Sequence, residues 1–474
     1  MGLHVVATRG AAKSRLLGWV IAWQDFLRGI STVIFDVSGG GAIDGFIQKM
    51  LLLPRDYQER LFRRVIYVDM AGSNGYIVPF PLYYRLGNES LYEISQRFLD
   101  LLRKTDPALQ SASIQGWNAL SRIGTYTGMV FSALGCQIAE AEDLIRNPTN
   151  WTGRLNPLAE LYPEIRPAIA FFTEEFPRWN EQTRASQTGS FLNKNLIFLD
   201  PRIKAMYGAP TPGIDWQQVV DEGLIVLLDF RNQRSLDQLK FAMLWAYSYL
   251  LEFVKQRGPG RRKPISLITD ELAYLLSFDA LGKSLFAPDL DDLVNRISRA
   301  HAVWLTVAHQ ELYQFDEKIQ KIVMSLGTQI IGSTTDPEAA RYLASRFSRF
   351  NPKRIKKKEP IYVGDRSGHY VIDYRTVEYS LDEQRELDSF EFIDLARYRF
   401  LVSAAPTEGE TGSKFYPISI ERFDKGIFVD EELVAKARLL LSQRDGRKIS
   451  DLITEIDQRQ LARAPRLISR RAQS

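Results

Sequence analysis

The sequence predicts an α/β protein with a doubly wound, mainly parallel sheet, an all-helical insertion and a helical C-terminal tail. Two series of short apolar strands alternate with helical patterns, one in the first 70 residues and one between residues 223 and 332. Between them, apolar residues recur at helical spacing and prolines separate the segments. The two strand series therefore form two parts of one core, interrupted by helices.

The composition is that of an ordinary globular protein, with 45% hydrophobic and 25% charged residues in a chain of 474. A net charge of +4 permits nucleic-acid binding without arguing for it. The single cysteine, Cys136, rules out an intrachain disulfide and fits a reducing cytosol. No run approaches ~20 apolar residues, so we expect a cytoplasmic protein that reaches the inner face of the cell membrane only through partners.

The first strand, Leu3–Ala7, leads directly into a loop with the spacing of a phosphate-binding P-loop, G-x-x-x-x-G-K-[ST]. Lys13 and Ser14 match the pattern, and Gly10 supplies one inner glycine. In such a loop the lysine reaches the β and γ phosphates and the serine binds Mg²⁺. The alternative is an ordinary strand–turn–helix with a chance Lys-Ser pair.

Both defining glycines of that pattern are alanines here, Ala7 and Ala12. Glycines let backbone amides wrap a phosphate in conformations that a Cβ disfavours. We therefore expect the alanine before the lysine to weaken the phosphate cradle or to change its shape.

A buried strand at residues 265–269 ends in two carboxylates, Asp270 and Glu271. In an open parallel sheet, ligands bind outside the carboxyl ends of the strands. There one acid can hold a hydrated Mg²⁺ while the next polarises an attacking water. This pair predicts catalytic chemistry more strongly than the altered P-loop does.

Other strand ends carry polar residues that fit either a site or a structural role. Asp36 and Asp69 follow the second and third strands, where each is as readily a cap or turn residue. His309 and Gln310 follow a later buried strand. Of these two, Gln310 is the better candidate, because an amide can bond a γ-phosphate or its attacking water without carrying charge.

Basic residues cluster in the second half of the chain. The densest run is Lys353-Arg-Ile-Lys-Lys-Lys358, which fits either phosphate contacts or a solvated loop. The tail after about residue 430 reads as two helices separated by Gly446, with a basic end. It is interpreted as a docking arm or a frayed terminus.

The order of these motifs resembles the motor domain of the HerA–FtsK superfamily, most closely the type IV secretion coupling proteins and related HerA-like DNA translocases. The most specific match is Ser298-Arg-Ala-His-Ala-Val-Trp-Leu-Thr-Val-Ala-His-Gln-Glu-Leu-Tyr-Gln-Phe315. Further matches are the opening strand and loop, Ile34-Phe-Asp-Val-Ser-Gly-Gly, Val65-Ile-Tyr-Val-Asp, Asp221-Glu-Gly-Leu-Ile-Val-Leu-Leu-Asp, Ile268-Thr-Asp-Glu, Gly327-Thr-Gln-Ile-Ile and Asp336-Pro-Glu-Ala-Ala. They span residues 1 to about 405 in the family's order.

The resemblance implies a RecA-like ATPase core that binds ATP and Mg²⁺ between the subunits of a ring, typically a hexamer, with DNA in the central channel. It implies secretion-system or relaxosome proteins as partners. Glu271, Gln310 and Arg299 are then catalytic candidates, Arg299 (or Arg296) as an arginine finger for a neighbouring subunit or else as a surface salt bridge. The nucleotide-binding candidates are Gly10, Ala12, Lys13, Ser14 and Arg15, and the metal ligands are Ser14 and Asp270.

The expected domains are residues 1–88 and 186–405 for the two parts of the core, 89–185 for the helical insertion and 406–474 for the tail. The chain departs from the family at the P-loop alanines, at the turn after Asp36, and in lacking the usual region before the first strand. Two functions follow. One is an ATP-driven DNA translocase, and the other is a degenerate, non-hydrolysing paralogue that binds nucleotide or DNA as an assembly partner.

Overall fold

The computed structural model describes residues 2–37, 41–106, 109, 114–258, 262–276, 284–348, 350–365, 368–404, 414–420 and 430–461. Three features discussed above lie partly outside these residues. They are the turn after Asp36, from residue 38 to 40, the helical tail's basic end, from residue 462, and part of the predicted tail domain, residues 421–429. None of the described helices is long and apolar enough to cross a membrane.

Nine strands form one central sheet. In chain order they are β1 (Gly2–Val6), β2 (Ser31–Asp36), β3 (Val65–Asp69), β5 (Ile225–Asp229), β6 (Ile265–Asp270), β7 (Val303–His309), β8 (Thr328–Ile331), β11 (Arg399–Ala404) and β12 (Lys414–Ser419). Their spatial order is β12-β11-β8-β1-β7-β6-β2-β5-β3. The seven strands from β8 to β3 run parallel, while β11 and β12 are antiparallel additions. The predicted fold class is confirmed.

Helices cover both faces of this sheet, and so its central strands are buried on both sides. In the core they are Lys13–Arg15, Leu16–Ala22 (π-helical), Trp23–Leu27, Ala42–Leu51, Arg55–Phe62, Leu236–Gln256, Leu272–Leu275, Ala287–Asp292, Leu293–Ile297, Ser298–Ala300, Leu312–Gln314, Glu317–Met324, Pro337–Phe347 and Leu381–Ile393. The first three form one continuous helical segment directly after the loop that follows β1.

The region between β3 and β5 is almost entirely helical, as its apolar spacing predicts. Its helices are Leu91–Thr105, Ile114–Leu134, Ile138–Glu140, Ala141–Arg146, Pro148–Trp151, Thr152–Leu155, Leu158–Leu161, Pro163–Ile165, Arg166–Ala170, Phe171–Glu175, Phe176–Arg178, Glu181–Asn195, Leu196–Leu199, Pro201–Gly208 and Trp216–Glu222. The tryptophans at 117, 151 and 179 pack in or against its core rather than forming a binding face. Helices continue to Glu222, while the domain boundaries themselves remain predictions.

The described part of the tail is folded against the core rather than frayed. It forms the helices Glu431–Asp445 and Ile449–Leu461. Between them, the short strand β13 (Arg447–Lys448) pairs with β4 (Tyr76–Ile77). Asp445 accepts a hydrogen bond of 2.9 Å from the backbone N–H of Tyr67 on the edge strand β3. The second tail helix reaches the helical region, where Arg459 pairs with the buried Glu140 at 2.9 Å.

The densest basic run belongs to an exposed hairpin, β9 (Ile355–Asp365) with β10 (Gly368–Glu378). Within the run, Arg354 pairs with Asp388 and Glu391, and Lys356 with Glu383. These ion pairs fix the base of the hairpin to the helix Leu381–Ile393. They also neutralise part of the positive charge of residues 353–358, which could otherwise contact phosphate groups.

Candidate nucleotide-binding site

The loop after β1 has a left-handed backbone at a glycine and at an alanine. Gly10 has φ +89°, and Ala12 has φ 74° and ψ 24°, in the left-handed region that disfavours a Cβ. Ala12 directly precedes the helical segment, and its carbonyl accepts the N–H of Leu16 at 3.1 Å. Ala12 is therefore held in a strained conformation, and the expected effect of this alanine on the phosphate cradle stays a prediction.

Ala7 does not face the cradle. It is completely buried in the core, and the chain compensates for its methyl group at Gly332, just beyond β8. A Cβ built on Gly332 would lie 2.6 Å from the Ala7 Cβ and 3.0 Å from Phe400. Alanine replaces the glycine of the P-loop pattern at position 7, and its methyl group has room because residue 332, just beyond β8, is a glycine.

We expect Gly332→Ala to destabilise the protein by about 1–3 kcal/mol, because the new methyl group overlaps the Ala7 Cβ. Ala7→Gly should recover part of that loss, giving a coupling energy on the order of 1 kcal/mol between the two positions. Urea denaturation of the four proteins in the cycle measures it. Strictly additive effects would show that the two residues do not share this space.

The structure brings the two acids of β6 directly against the loop. Ser14 Oγ donates a 2.6 Å hydrogen bond to Asp270 Oδ2. Lys13 Nζ donates to Glu271 Oε2 at 3.0 Å and lies 3.9 Å from Asp270 Oδ1. Glu271, like Ala12, has a left-handed backbone, with φ 68°. Two motifs far apart in sequence thus meet at the carboxyl edge of the sheet.

Burial controls the electrostatics of this cluster. Lys13, Asp270 and Glu271 are all buried, and burial raises the pKa of Asp270 to about 6. The charge of Lys13 opposes this rise, whereas the carboxylates of Asp36 and Glu271 add to it. Asp270 Oδ1 and Glu271 Oε1 have no hydrogen-bond partner among the described residues. Such buried, unsatisfied carboxylate oxygens are the ligands that Mg²⁺ prefers, so the residues present fit this ion.

The remaining nucleotide and catalytic candidates are distributed as follows. Gln310 directly follows β7, next to β1, at the same edge of the sheet, and its backbone N–H donates to Gln314 Oε1 at 3.1 Å. Arg15 lies in the first helical turn after the loop. Arg299 is exposed before β7, at the opposite edge, so it cannot complete the site of its own chain. Arg296 forms an ion pair with Asp292, four residues earlier. This is the surface salt bridge expected as the alternative to an arginine finger.

Asp36 and Asp69 have structural partners. Asp36 Oδ2 accepts the N–H of Ile43 in the first turn of the next helix, at 2.9 Å. Asp69 accepts the N–H groups of Ala71 and Ser73, closing the turn after β3. Both residues still lie at the carboxyl edge, and Asp36 is near enough to raise the pKa of Asp270.

Sequence reasoning missed a buried histidine pair beneath the loop. His4 on β1 and His309 at the end of β7 are fully buried, with their Nε2 atoms 2.6 Å apart. Gln329 donates its amide N–H to the carbonyls of Leu326 and Val323, so its oxygen accepts from His4 Nδ1. His309 must then be the donor between the two rings. A histidine in an apolar strand is a weak signal, and only the register of β1 against β7 identifies its partner.

Below pH 6.5 the histidine pair and Asp270 should act on stability in opposite directions. Burial lowers the pKa of His4 to about 4 and that of His309 also, so the unfolded chain binds more protons and acid destabilises the fold. The raised pKa of Asp270 has the reverse effect between pH 4 and 6. At about 1.4 kcal/mol per pKa unit, His4 and Asp270 each contribute about 3 kcal/mol.

We therefore expect Asp270→Asn to lose stability more steeply than the wild type between pH 6.5 and 4.5, in the absence of nucleotide. Urea denaturation at intervals across this range tests the prediction. Parallel pH profiles for the two proteins would contradict it.

Taken together, the parallel sheet, the loop with Lys13 and Ser14, and the acids at the end of β6 define the RecA-like fold of P-loop ATPases. Comparison with protein-family models gave no match, and neither did comparison with curated protein sequences.

Solved structures with similar folds include the coupling protein TrwB and a VirB4 protein. The plasmid coupling protein TrwB in complex with the non-hydrolysable ATP analogue ADPNP has a TM-score of 0.51 at 15% identity, covering 90% of this chain and 87% of that chain. VirB4 of Thermoanaerobacter pseudethanolicus has a TM-score of 0.52 at 13% identity, covering 90% of each chain. The bacterial conjugative coupling protein TrwBΔN70 in unbound form scores 0.50 at 15% identity, over 89% and 86% of the two chains. The resemblance inferred from the motif order is thereby confirmed for the fold.

Proposed function

We propose that this protein is an ATP-driven DNA translocase of the conjugative or type IV secretion type. The observation that carries the proposal is the pair of contacts from Lys13 to Glu271 and from Ser14 to Asp270. These contacts place a phosphate-binding lysine, a metal-binding hydroxyl and two carboxylates within one hydrogen bond of each other. Three of these groups, Lys13, Asp270 and Glu271, are buried, and clusters of buried titratable groups are concentrated at functional sites.

In this proposal each side chain has a definite task. Lys13 would leave Glu271 for the β and γ phosphates, which the N–H groups of the loop also bind. Ser14 and Asp270 would hold Mg²⁺, which when bound neutralises charge on the phosphates. Glu271, released from Lys13, accepts the proton of the attacking water. Gln310 orients that water from the adjacent strand, and Arg15 adds positive charge beside the loop.

The partners belong to the proposal as well. The position of Arg299, on the edge away from its own site, suits an arginine finger acting on a neighbouring subunit, and so a ring, typically a hexamer. DNA in the central channel and contacts with secretion-system or relaxosome proteins are inferred from the family resemblance and from the conjugative role of TrwB. Such partners would hold the protein at the inner face of the cell membrane.

The test of the proposal is steady-state ATP hydrolysis with and without DNA, together with the size of the assembly in light scattering. We expect Mg²⁺-dependent hydrolysis that single-stranded or double-stranded DNA stimulates. The same DNA should shift the protein towards a larger assembly. Hydrolysis that neither form of DNA changes would contradict the translocase proposal and leave an ATPase whose activity does not depend on DNA.

The second candidate, a non-hydrolysing paralogue, is favoured by one observation, the strained alanine before the lysine. Ala12→Gly should raise the free energy of unfolding by about 1 kcal/mol, because glycine adopts the left-handed conformation without the Cβ penalty. The affinity for Mg-ADP, measured by fluorescence titration, should change little, since Ala12 already has the left-handed backbone that glycine would adopt. A large gain in affinity would instead support degeneration.

A further inference from the structure

The entrance to the loop is held from both sides by the segments that follow the two neighbouring strands. The N–H of Ala7 donates to the carbonyl of His309 after β7 at 3.3 Å. The N–H of Thr8 donates to the carbonyl of Ser333 after β8 at 2.8 Å. Because β1 lies between β7 and β8, the segments at the ends of β7 and β8 are not neighbours in the sheet. The loop after β1 is hydrogen-bonded to both of them.

Glu311 joins these two segments directly. Its Oε2 accepts the hydroxyl of Thr334 at 2.7 Å, and its Oε1 accepts the hydroxyl of Thr335 at 3.1 Å and the N–H of Thr335 at 3.3 Å. The bonds from Ala7, Thr8 and Glu311 form a closed ring around the base of the loop.

The carboxylate of Glu311 is buried, and it forms no ion pair with any described residue. Burying a carboxylate whose partners are all neutral donors costs free energy, because no cation compensates for the hydration that the carboxylate loses. The two threonine hydroxyls and the Thr335 N–H donate to both carboxylate oxygens, whereas a glutamine offers only one acceptor oxygen, so one hydroxyl would have to turn and accept from the new NH₂ group. The present arrangement of donors therefore matches a carboxylate better than an amide.

Gln310 lies between His309 and Glu311, and hydrogen bonds hold the side chains of both neighbours in place. The ring of His309 is held by His4, with their Nε2 atoms 2.6 Å apart. On the other side, Gln314 Oε1 accepts the N–H groups of both Gln310 and Glu311. The backbone at Gln310 therefore moves only if the Glu311 ring of bonds moves with it.

We infer that Glu311 is a positioning residue that fixes Gln310 relative to the phosphate loop and so couples the two across β1. The inference rests on the proposed ATP hydrolysis, in which Gln310 orients the attacking water. The side chain of Glu311 bonds to Thr334 and Thr335 rather than to the nucleotide or metal candidates. We therefore expect its effect on kcat to pass through Gln310.

The experiment compares wild type with Glu311→Gln and with the double variant Glu311→Gln/Gln310→Ala. Glutamine places an NH₂ group where a threonine hydroxyl now donates, and that hydroxyl must turn to accept, so we expect kcat to fall on the order of 10-fold to 100-fold, the cost of a small misplacement, with KM for ATP little changed. In the Gln310→Ala background the same substitution should have no further effect on kcat. Additive losses in the double variant would overturn the inference.

Two matched controls separate positioning from simple destabilisation. Thr334→Val removes the hydroxyl that Glu311 accepts and should lower kcat, whereas Thr334→Ser keeps it and should retain the wild-type rate. Glu317→Gln changes an exposed glutamate paired only with Lys321 and should be silent. Equal rates for the valine and serine variants would count against the role of Glu311.

Hydrogen–deuterium exchange provides a readout that needs no hydrolysis. Glu311→Gln should speed exchange at Ala7 and Thr8 as well as at residues 309–311, because the ring of bonds is opened. Faster exchange confined to residues 334 and 335 would overturn the inference. If the wild type does not hydrolyse ATP, the proposed function fails, and the exchange pattern alone decides whether Glu311 couples Gln310 to the loop.

Discussion

Replacing Glu271 with glutamine should lower the rate of ATP hydrolysis on the order of 10²-fold to 10⁴-fold, the usual contribution of a general base. The substitution keeps the size of the side chain and its left-handed backbone, which has φ 68°. It removes the ability to accept a proton from water and the negative charge that pairs with Lys13. The Oε1 atom has no hydrogen-bond partner among the described residues, so it is free for that role.

Binding should respond differently from turnover. Glu271 holds Lys13 in an ion pair of 3.0 Å, and a neutral glutamine would release it. We therefore expect Glu271→Gln to bind Mg-ATP at least as tightly as the wild type, because the lysine no longer has to break an ion pair first. Single-turnover hydrolysis and equilibrium titration with a fluorescent nucleotide separate the two effects.

The exposed Glu317→Gln serves as the matched control, since it makes the same chemical change at a glutamate that pairs with Lys321 rather than with Lys13. A Glu271→Gln protein that hydrolyses ATP as fast as the wild type would exclude this residue as the base. Loss of both binding and turnover would instead assign Glu271 to the shape of the site.

Much of the fold could be predicted because the sheet is buried on both faces. Strands such as Ile225–Asp229 and Ile265–Asp270 are continuous apolar runs that end in an acid, a pattern with few other interpretations. The antiparallel pairing of Arg399–Ala404 with Thr328–Ile331 was not predicted. Strand direction at a sheet edge depends on tertiary packing, which local sequence does not specify.

Part of the candidate site could likewise be predicted from the sequence, and part could not. Lys13, Ser14, Asp270 and Glu271 were predicted, because chemistry at strand ends requires those residue types, and the structure brings them together. Their catalytic and ligand roles remain proposals. The match between Ala7 and Gly332 could not be predicted, since it depends on the register between two strands. The same holds for the histidine pair, whose members come from different strands.

Lys13→Met should weaken Mg-ADP binding by about 10-fold to 100-fold, because hydrogen bonds to charged groups contribute about 1.5–3 kcal/mol. Methionine fills the same volume without the charge that the phosphates require. The substitution has a second consequence in the free protein. It leaves Asp270 and Glu271 buried together without their cation, which should cost about 3–5 kcal/mol of stability.

A second substitution separates these effects. Lys13→Met/Glu271→Gln removes both members of the ion pair, so most of the lost stability should return. Nucleotide affinity should stay low, because the phosphates still lack the lysine. Thermal unfolding and fluorescence titration of the wild type, both single variants and the double variant complete the cycle. If affinity returned along with stability, Lys13 would be a structural partner of Glu271, and the loop would no longer be a nucleotide site.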